Sequence, residues 1–338
     1  MIESLRLQNF RSHRDFFVQL QPGPVIVTGN NGVGKTTILE AIYLALIGKS
    51  YRSNFRDIIT IGQTWWRIDL TLTDAMRTIK FQNNQKEFII GSKSTKTLSK
   101  KARRPVLLFE PNDLMIIYGS PSRRREFFDR FITQIEPDFA VKLAKFDRVL
   151  RQRNRLLKSD MATAENLLVW DVQLAELSVT ISQKRRQIIQ QINERLADNY
   201  VAIAGSTYEE MVKIKFVSEQ YSSADILRRL QIDLRFGYLT TRLGAQRDDY
   251  EFHFATQNAK TNASRGENRT LLFAILASFA ELINQRLHEK AYILLDDVDS
   301  ELDQCHRENL YRVPIFTRNY LIATTIVFTG QISNNIKL

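Results

Sequence analysis

The sequence predicts an α/β protein whose phosphate-binding type of core is assembled from both chain ends, with a compact helical segment inserted between them. Three observations carry this reading. A β-branched run, Pro24–Thr28, leads into a glycine-rich loop and then into Ile38–Ile47, an apolar stretch without a polar face. Near the other end a second apolar run, Tyr292–Leu295, stops at Asp296 and Asp297. Between about Ser122 and Tyr200 the apolar residues recur at helical spacing. Mixed strand and helix at both ends, with helices between, implies one layered domain made from two distant segments.

Element by element, Pro24–Thr28 is a short strand, and Ile38–Ile47 reads as a helix buried against a sheet on all sides. Arg67–Leu72 alternates with period two, as in a half-buried strand of a small antiparallel lobe. Trp65 and Trp66 adjoin it and are assigned to the lobe core, with a stacking platform for bases as the alternative. In the middle segment Leu167, Leu174, Ile181 and Ile188 recur every seven residues, with Trp170 and Leu177 three further on. Lys184 and Gln191 occupy the later partner positions, so the seam is short and partly polar, and the segment reads as a compact arm without a long coiled coil. Strand-like runs return at Met211–Val217 and Tyr250–Phe254. An apolar helix follows Arg269, then strands at Tyr292–Leu295 and Tyr320–Phe328. The expected domains are therefore 1–121 with 240–338, the core and its antiparallel lobe, and 122–239, the arm.

Composition limits the function classes. A chain of 338 residues with 43% apolar residues can fill about two domain cores. The 48 Lys and Arg against 37 Asp and Glu leave a net charge of +11, which favours an acidic polymer as partner. A single cysteine, Cys305, excludes a disulfide framework and a cysteine-rich zinc site, and four scattered histidines do not supply a metal cluster. Met1–Asn9 has no apolar run of signal-peptide length. The longest apolar stretch, Leu271–Ile283, is broken by Ser278 and Glu281 and is too short to cross a bilayer. The expectation is a soluble protein of a reducing compartment, without a membrane partner.

The loop Gly29-Asn30-Asn31-Gly32-Val33-Gly34-Lys35-Thr36 fits G-x-x-x-x-G-K-[ST], and it sits between a strand and a helix as that motif requires. Its glycines let main-chain N–H groups turn towards phosphate oxygens, and the following helix N-terminus adds partial positive charge. Lys35 would reach the β and γ phosphates, and Thr36 would complete a Mg²⁺ shell. A glycine-rich turn that binds nothing is the alternative, disfavoured by the flanking elements. Asp296 and Asp297 lie at the carboxyl edge of their strand, where α/β sheets place ligands. Asp296 is the expected metal-side residue, acting through water, and Asp297 the expected base; an acidic strand-end turn is the alternative.

Two basic runs stand out: Lys93, Lys96, Lys100, Lys101, Arg103 and Arg104, with no acid between Gly91 and Pro105, and Lys145, Arg148, Arg151, Arg153, Arg155 and Lys158, with only Asp147 among them. Either is a solvated face or a DNA-backbone footprint; six to ten phosphate contacts would cost roughly 10³- to 10⁵-fold in affinity between 50 and 200 mM salt. Arg123, Arg124 and Arg125 could pair with Glu126 or Asp129, or face a nucleotide. His253 and His288 are read as structural.

The two motifs lie about 260 residues apart, and Ser264-Arg265-Gly266-Glu267-Asn268-Arg269 precedes the helix before the second. With Asp296-Asp297-Val298-Asp299-Ser300-Glu301-Leu302-Asp303 following, the arrangement resembles the ABC-type ATPase heads of the SMC and recombination-protein group. More narrowly, Leu7–Ser12, Gly48–Ser53, Phe109–Leu114, Gly119–Arg125 with Asp129, Val149–Leu157, and Trp170-Asp171 with Gln173-Leu174 are similar to the RecF family over almost the whole chain. The resemblance implies an ABC-type head and bound ATP and Mg²⁺, with Arg11 and Thr37 joining the loop at the nucleotide. It implies an ATP-dependent homodimer in which Ser264 and Gly266 cap the nucleotide of the other subunit and 299–303 crosses the interface. It implies weak, DNA-dependent ATP hydrolysis, sequence-independent binding to double-stranded and gapped DNA, and work with RecO and RecR in loading RecA. The implied setting is recombinational gap repair, replication restart and the SOS response, in the bacterial cytoplasm at the nucleoid.

Three features depart from the family pattern. Gly244-Ala245-Gln246-Arg247-Asp248-Asp249 stands where Gly-Pro-His-Arg-Asp-Asp is usual, Glu267 stands where glutamine is usual, and the tail after Phe328 is short and polar. Two rivals are weighed. An ATP-dependent nuclease subunit of the overcoming-lysogenisation type needs a second acidic constellation, for which only Asp248-Asp249 offers itself. A transporter motor is disfavoured by the altered signature and the lack of a membrane-coupling element.

Overall fold

The computed structural model describes residues 1–205, 212–219, 221–298, 309–310, 313–326 and 334–338. Met211, the end of the expected last strand at 327–328, Cys305 and the acidic loop 299–303 lie outside them. The chain divides into two compact units, one of Met1–Asp113, Val201–Thr207 and Leu276–Leu338, the other of Leu114–Tyr200 and Tyr208–Ile275.

The first unit holds two sheets. An antiparallel sheet runs β2 (His13–Gln19), β1 (Ile2–Phe10), β4 (Trp65–Leu72), β5 (Met76–Gln82), β6 (Gln85–Ile90) and β7 (Lys93–Thr95). A parallel sheet is ordered β14 (Asn334–Lys337), β3 (Val25–Thr28), β13 (Tyr320–Thr325), β12 (Tyr292–Leu295) and β8 (Val106–Phe109). Helix α1 (Lys35–Ile47) packs against β4 and β5 of one sheet and β8 and β13 of the other. Every residue of α1 except Thr36 is buried, which is why the segment shows no polar stripe. Strand β4 alternates buried and half-buried residues along its full length. Trp66 is fully buried, with Phe10 edge-on and Phe55 and Phe81 stacked on it, and its indole N–H donates to the Phe55 carbonyl. The polar tail supplies an edge strand: β14 pairs with β3, and Asn334 exchanges two hydrogen bonds with the Gln21 backbone.

The second unit contains α2 (Met115–Tyr118), α3 (Pro121–Ile135), α4 (Pro137–Leu156), α5 (Ala164–Ala204) for most of its length, α6 (Ser223–Arg235) and α7 (Ala259–Asn262). It also has an antiparallel sheet, β9 (Val212–Val217) beside β10 (Asp249–Phe254), with β11 (Gln257–Asn258) at the other edge. The arm is therefore mixed. The expected boundaries shift: 114–121 and 240–275 group with the arm because β10 pairs with β9 along six residues and α3 packs on it through Phe128 against Tyr250. All four heptad residues of the 41-residue α5 are fully buried, and the helix runs about 60 Å at 1.5 Å per residue.

Helix α8 (Arg265–Leu287) is long and apolar enough by length and composition to cross a membrane, more than the run Leu271–Ile283 indicated. In the fold 72% of its most apolar stretch is buried, the pattern of a core helix. His288, just beyond it, adopts a left-handed backbone, a helix-terminating role, and the short α9 (Pro314–Arg318) precedes β13.

Candidate phosphate and metal site

The loop between β3 and α1 turns on glycines whose backbone and close neighbours would strain any side chain. Gly34, the residue before α1, has φ 108°, and a Cβ there would lie 2.5 Å from His13 Nε2. Gly29 has φ 153°, with the Leu338 carbonyl 3.0 Å from where its Cβ would be. Asn30, Asn31 and Gly32 are exposed at the rim, Val33 and Gly34 half-buried, and Thr37 buried. Lys35 folds inward, donating from Nζ to the carbonyls of Gly29 at 2.5 Å and Asn30 at 3.0 Å. Its ammonium thus stands inside the loop with partners that phosphate oxygens could replace.

Thr36 and Asp296 meet across 260 residues. The Thr36 hydroxyl lies 3.0 and 2.9 Å from the two Asp296 oxygens, and Thr324 donates to the same carboxylate at 2.7 Å. The Thr324 hydroxyl also accepts the Asp297 N–H at 2.8 Å, holding Asp297 at the left-handed φ of 50° just beyond β12. A hydroxyl beside a buried carboxylate at a helix N-terminus is an oxygen donor set suited to Mg²⁺, so the residues present fit the ion. Sequence reasoning missed Thr324, hidden in an apolar strand, and Tyr51. Its hydroxyl is buried with no hydrogen-bond partner among the described residues. Burial pushes its ionisation far upward, and the charges of Asp296, Glu110 and Glu40 add to this.

Arg11, expected beside the nucleotide, is fixed at the buried face of α1 by side-chain partners. Its guanidinium grips the fully buried Glu40 of α1 at 2.5 and 2.8 Å and donates to Ser53 Oγ at 2.6 Å, while Ser50 donates to Glu40 at 2.6 Å. His13 touches the Gly34 carbonyl at 3.3 Å, and burial lowers its pKa.

In the second unit Ser264 and Glu267 form a reciprocal cap on α8: the Glu267 N–H donates to Ser264 Oγ at 3.2 Å, and the Ser264 N–H donates to Glu267 at 2.7 Å. Ser264 and Glu267 are exposed, and Gly266 is half-exposed. The altered turn is a structural latch. Asp249 takes a bidentate pair from Arg124 at 2.6 and 2.8 Å, and Arg125 donates to the Asp248 carbonyl at 2.7 Å. Asp248 accepts from Arg185, Ser182 and Ser218 at 2.6 to 2.8 Å, while Arg185 also grips Asp129 at 2.9 and 2.6 Å. The arginine run thus includes two structural residues, and among the described residues no group of three His, Cys, Asp or Glu could hold a metal.

The basic runs are reduced by one member each. Arg104 pairs with Asp74 and, at 3.8 Å, Glu289. Arg153 is buried against Asp171 at 2.5 Å. Lys93, Lys96, Lys100, Lys101 and Arg103 are exposed, as are Lys145, Arg148, Arg151, Arg155 and Lys158.

Residues 4–308 match the family described as AAA domain. The DNA replication and repair protein RecF of Acholeplasma laidlawii is 30% identical over 331 residues, covering 96% of this chain and 93% of that protein. The chain belongs to the RecF family. A solved structure of the recombination mediator protein RecF-ATPrS in the RecFOR pathway superposes with a TM-score of 0.83 at 22% identity, covering 100% of this chain and 96% of that one. The Smc head bound to the C-winged helix domain of ScpA is similar at TM-score 0.57 and 14% identity, covering 96% and 89%. The fold is that of the ABC-type ATPase heads, and the RecF-like sequence extends through both the parallel-sheet unit and the arm.

Proposed function

We propose that this RecF-family chain is an ATP-dependent DNA-binding protein of bacterial recombinational gap repair. The observation that carries the reading is the meeting of Thr36 with Asp296, beside a Lys35 ammonium already turned into the loop. In this reading the amides of Gly29–Thr36 bind the triphosphate, and Lys35 moves from the loop carbonyls to phosphate oxygens. Thr36 and Asp296 hold Mg²⁺, which when bound offsets the phosphate charge. Asp297, kept in place by Thr324, orients the water and accepts its proton at the carboxylate.

Exposed Ser264 and half-exposed Gly266, at the start of α8, cap the nucleotide of a second copy, so that the closed form is a dimer. Binding closes it only through tighter affinity for the closed state; about 3 kcal/mol of difference moves the equilibrium a hundredfold or more. The exposed basic runs grip the DNA backbone without reading sequence, slow hydrolysis reopens the dimer, and RecO, RecR and RecA are the partners in the bacterial cytoplasm. Support for the partners comes from family membership and from the relative named for the RecFOR pathway. The nuclease alternative loses its only second acidic pair, because Asp248 and Asp249 are neutralised by Arg185 and Arg124.

The test is DNA binding to duplex, single-stranded and gapped probes with ATP and with ADP, at two salt concentrations. The clamp predicts ATP-favoured, salt-sensitive binding; strand cleavage of a gapped plasmid with Mg²⁺ and ATP would defeat it.

A further inference from the structure

The arm carries an exposed aromatic tip that its own packing does not explain. Phe236 is 73% exposed, Leu239 60%, Ile232 42% and Tyr238 39%, a contiguous apolar cluster at the end of α6. The local geometry holds it outward. The Phe236 N–H closes α6 on the Ile232 carbonyl at 3.2 Å, Gly237 takes a left-handed φ of 72°, and the chain reverses with the Tyr238 N–H on the Asp233 carbonyl at 3.3 Å. The Phe236 and Tyr238 rings lie 6.3 Å apart, and the Arg242 guanidinium sits 4.2 Å over Tyr238.

The tip is anchored to the basic helix. Thr241 donates from its N–H and its hydroxyl to Asn154 Oδ1 at 2.8 and 2.7 Å, and accepts from buried Arg153 at 2.9 Å. Asn154 is in the last turn of α4 with exposed Arg155, between exposed Arg151 one turn earlier and exposed Lys158 just beyond the helix. Along α4, Lys145, Arg148 and Arg155 fall within one face at 100° per residue, giving a cationic strip that ends beside the aromatic tip.

A strip of cations leading to exposed rings matches a strand whose phosphates are followed by unstacked bases, since every base has a π-face and every nucleotide a charge. We infer that the Phe236–Leu239 tip stacks on unpaired bases where single-stranded DNA meets duplex, while the α4 strip holds the adjoining backbone. This rests on the DNA-binding reading above and adds to it the element that would tell a gap from a continuous duplex.

The test is anisotropy titration of the full chain with ATP, using a blunt duplex and the same duplex carrying a single-stranded gap. The variants are Phe236→Ala, Tyr238→Phe and Tyr238→Leu, all at exposed positions. The expected result is about tenfold weaker gapped-DNA binding for Phe236→Ala and Tyr238→Leu, near wild-type binding for Tyr238→Phe, and duplex affinity unchanged throughout. Arg151→Ala with Arg155→Ala should weaken both probes and lower the salt slope by about one per lost phosphate contact. If Phe236→Ala leaves both affinities at the wild-type value, the tip serves another occupant such as an acidic protein segment, and the inference fails while DNA binding stands. Equal loss on both probes would make the tip a general contact and overturn it too. A wild-type protein that binds neither probe would remove the underlying reading and this one together.

Discussion

At residue scale the site is governed by a few charge-assisted contacts. Lys35→Ala removes the only ammonium inside the loop described here, and charge-assisted hydrogen bonds contribute about 1.5–3 kcal/mol. Nucleotide affinity, measured by calorimetry, should fall at least about tenfold, with the melting temperature of the free protein little changed. His13 gives a pH effect of definite sign. Burial lowers its pKa in the fold, so between the two pKa values the unfolded chain binds more protons, and stability is lost as pH falls below about 6.5. His13→Gln should flatten that part of a stability-against-pH curve from urea titrations; an unchanged slope would assign it to other groups. The loop lysine, Thr36 and Asp296 were legible from spacing and flanking elements. Thr324, Glu40 and Tyr51 were not, because a threonine in an apolar strand and a glutamate in an apolar helix carry no local mark. Only the fold brings Thr324 to Asp296 and Glu40 to Arg11.

At the scale of elements, buried ion pairs and helix caps set the arm. Removing Arg153 leaves Asp171 charged and buried, which typically costs about 3–5 kcal/mol. Arg153→Met should lower the urea midpoint strongly, and adding Asp171→Leu should recover part of the loss. On α8, Ser264→Ala removes the cap and should cost about 1 kcal/mol, whereas Glu267→Gln keeps an acceptor for the Ser264 N–H and should cost less than about 0.5 kcal/mol. The heptad positions of α5 and the alternation of β4 were readable because periodicity records which face is buried. The β9–β10 pairing, which draws 240–275 into the arm, was hidden because strand partners distant in sequence leave no periodic trace. The same holds for β14, an edge strand written in polar residues.

For the whole molecule, the ABC-type fold was readable because two motifs about 260 residues apart close one site, a constraint that few chains satisfy, and the family because segments spread along the chain, from Leu7–Ser12 to Trp170–Leu174, match it together. Glu267 carries a negative charge where the proposed dimer would bring a γ-phosphate. Glu267→Gln should therefore tighten ATP-driven dimerisation several-fold while leaving monomer stability in place, as read by sedimentation. The most direct test of the central claim is sedimentation velocity of the wild-type and Lys35→Ala chains with Mg²⁺ and ATP. A loop that grips the triphosphate and closes the dimer predicts a shift from monomer to dimer for the wild type and none for the variant. A wild type that stays monomeric with ATP, or a variant that dimerises equally well, would contradict it.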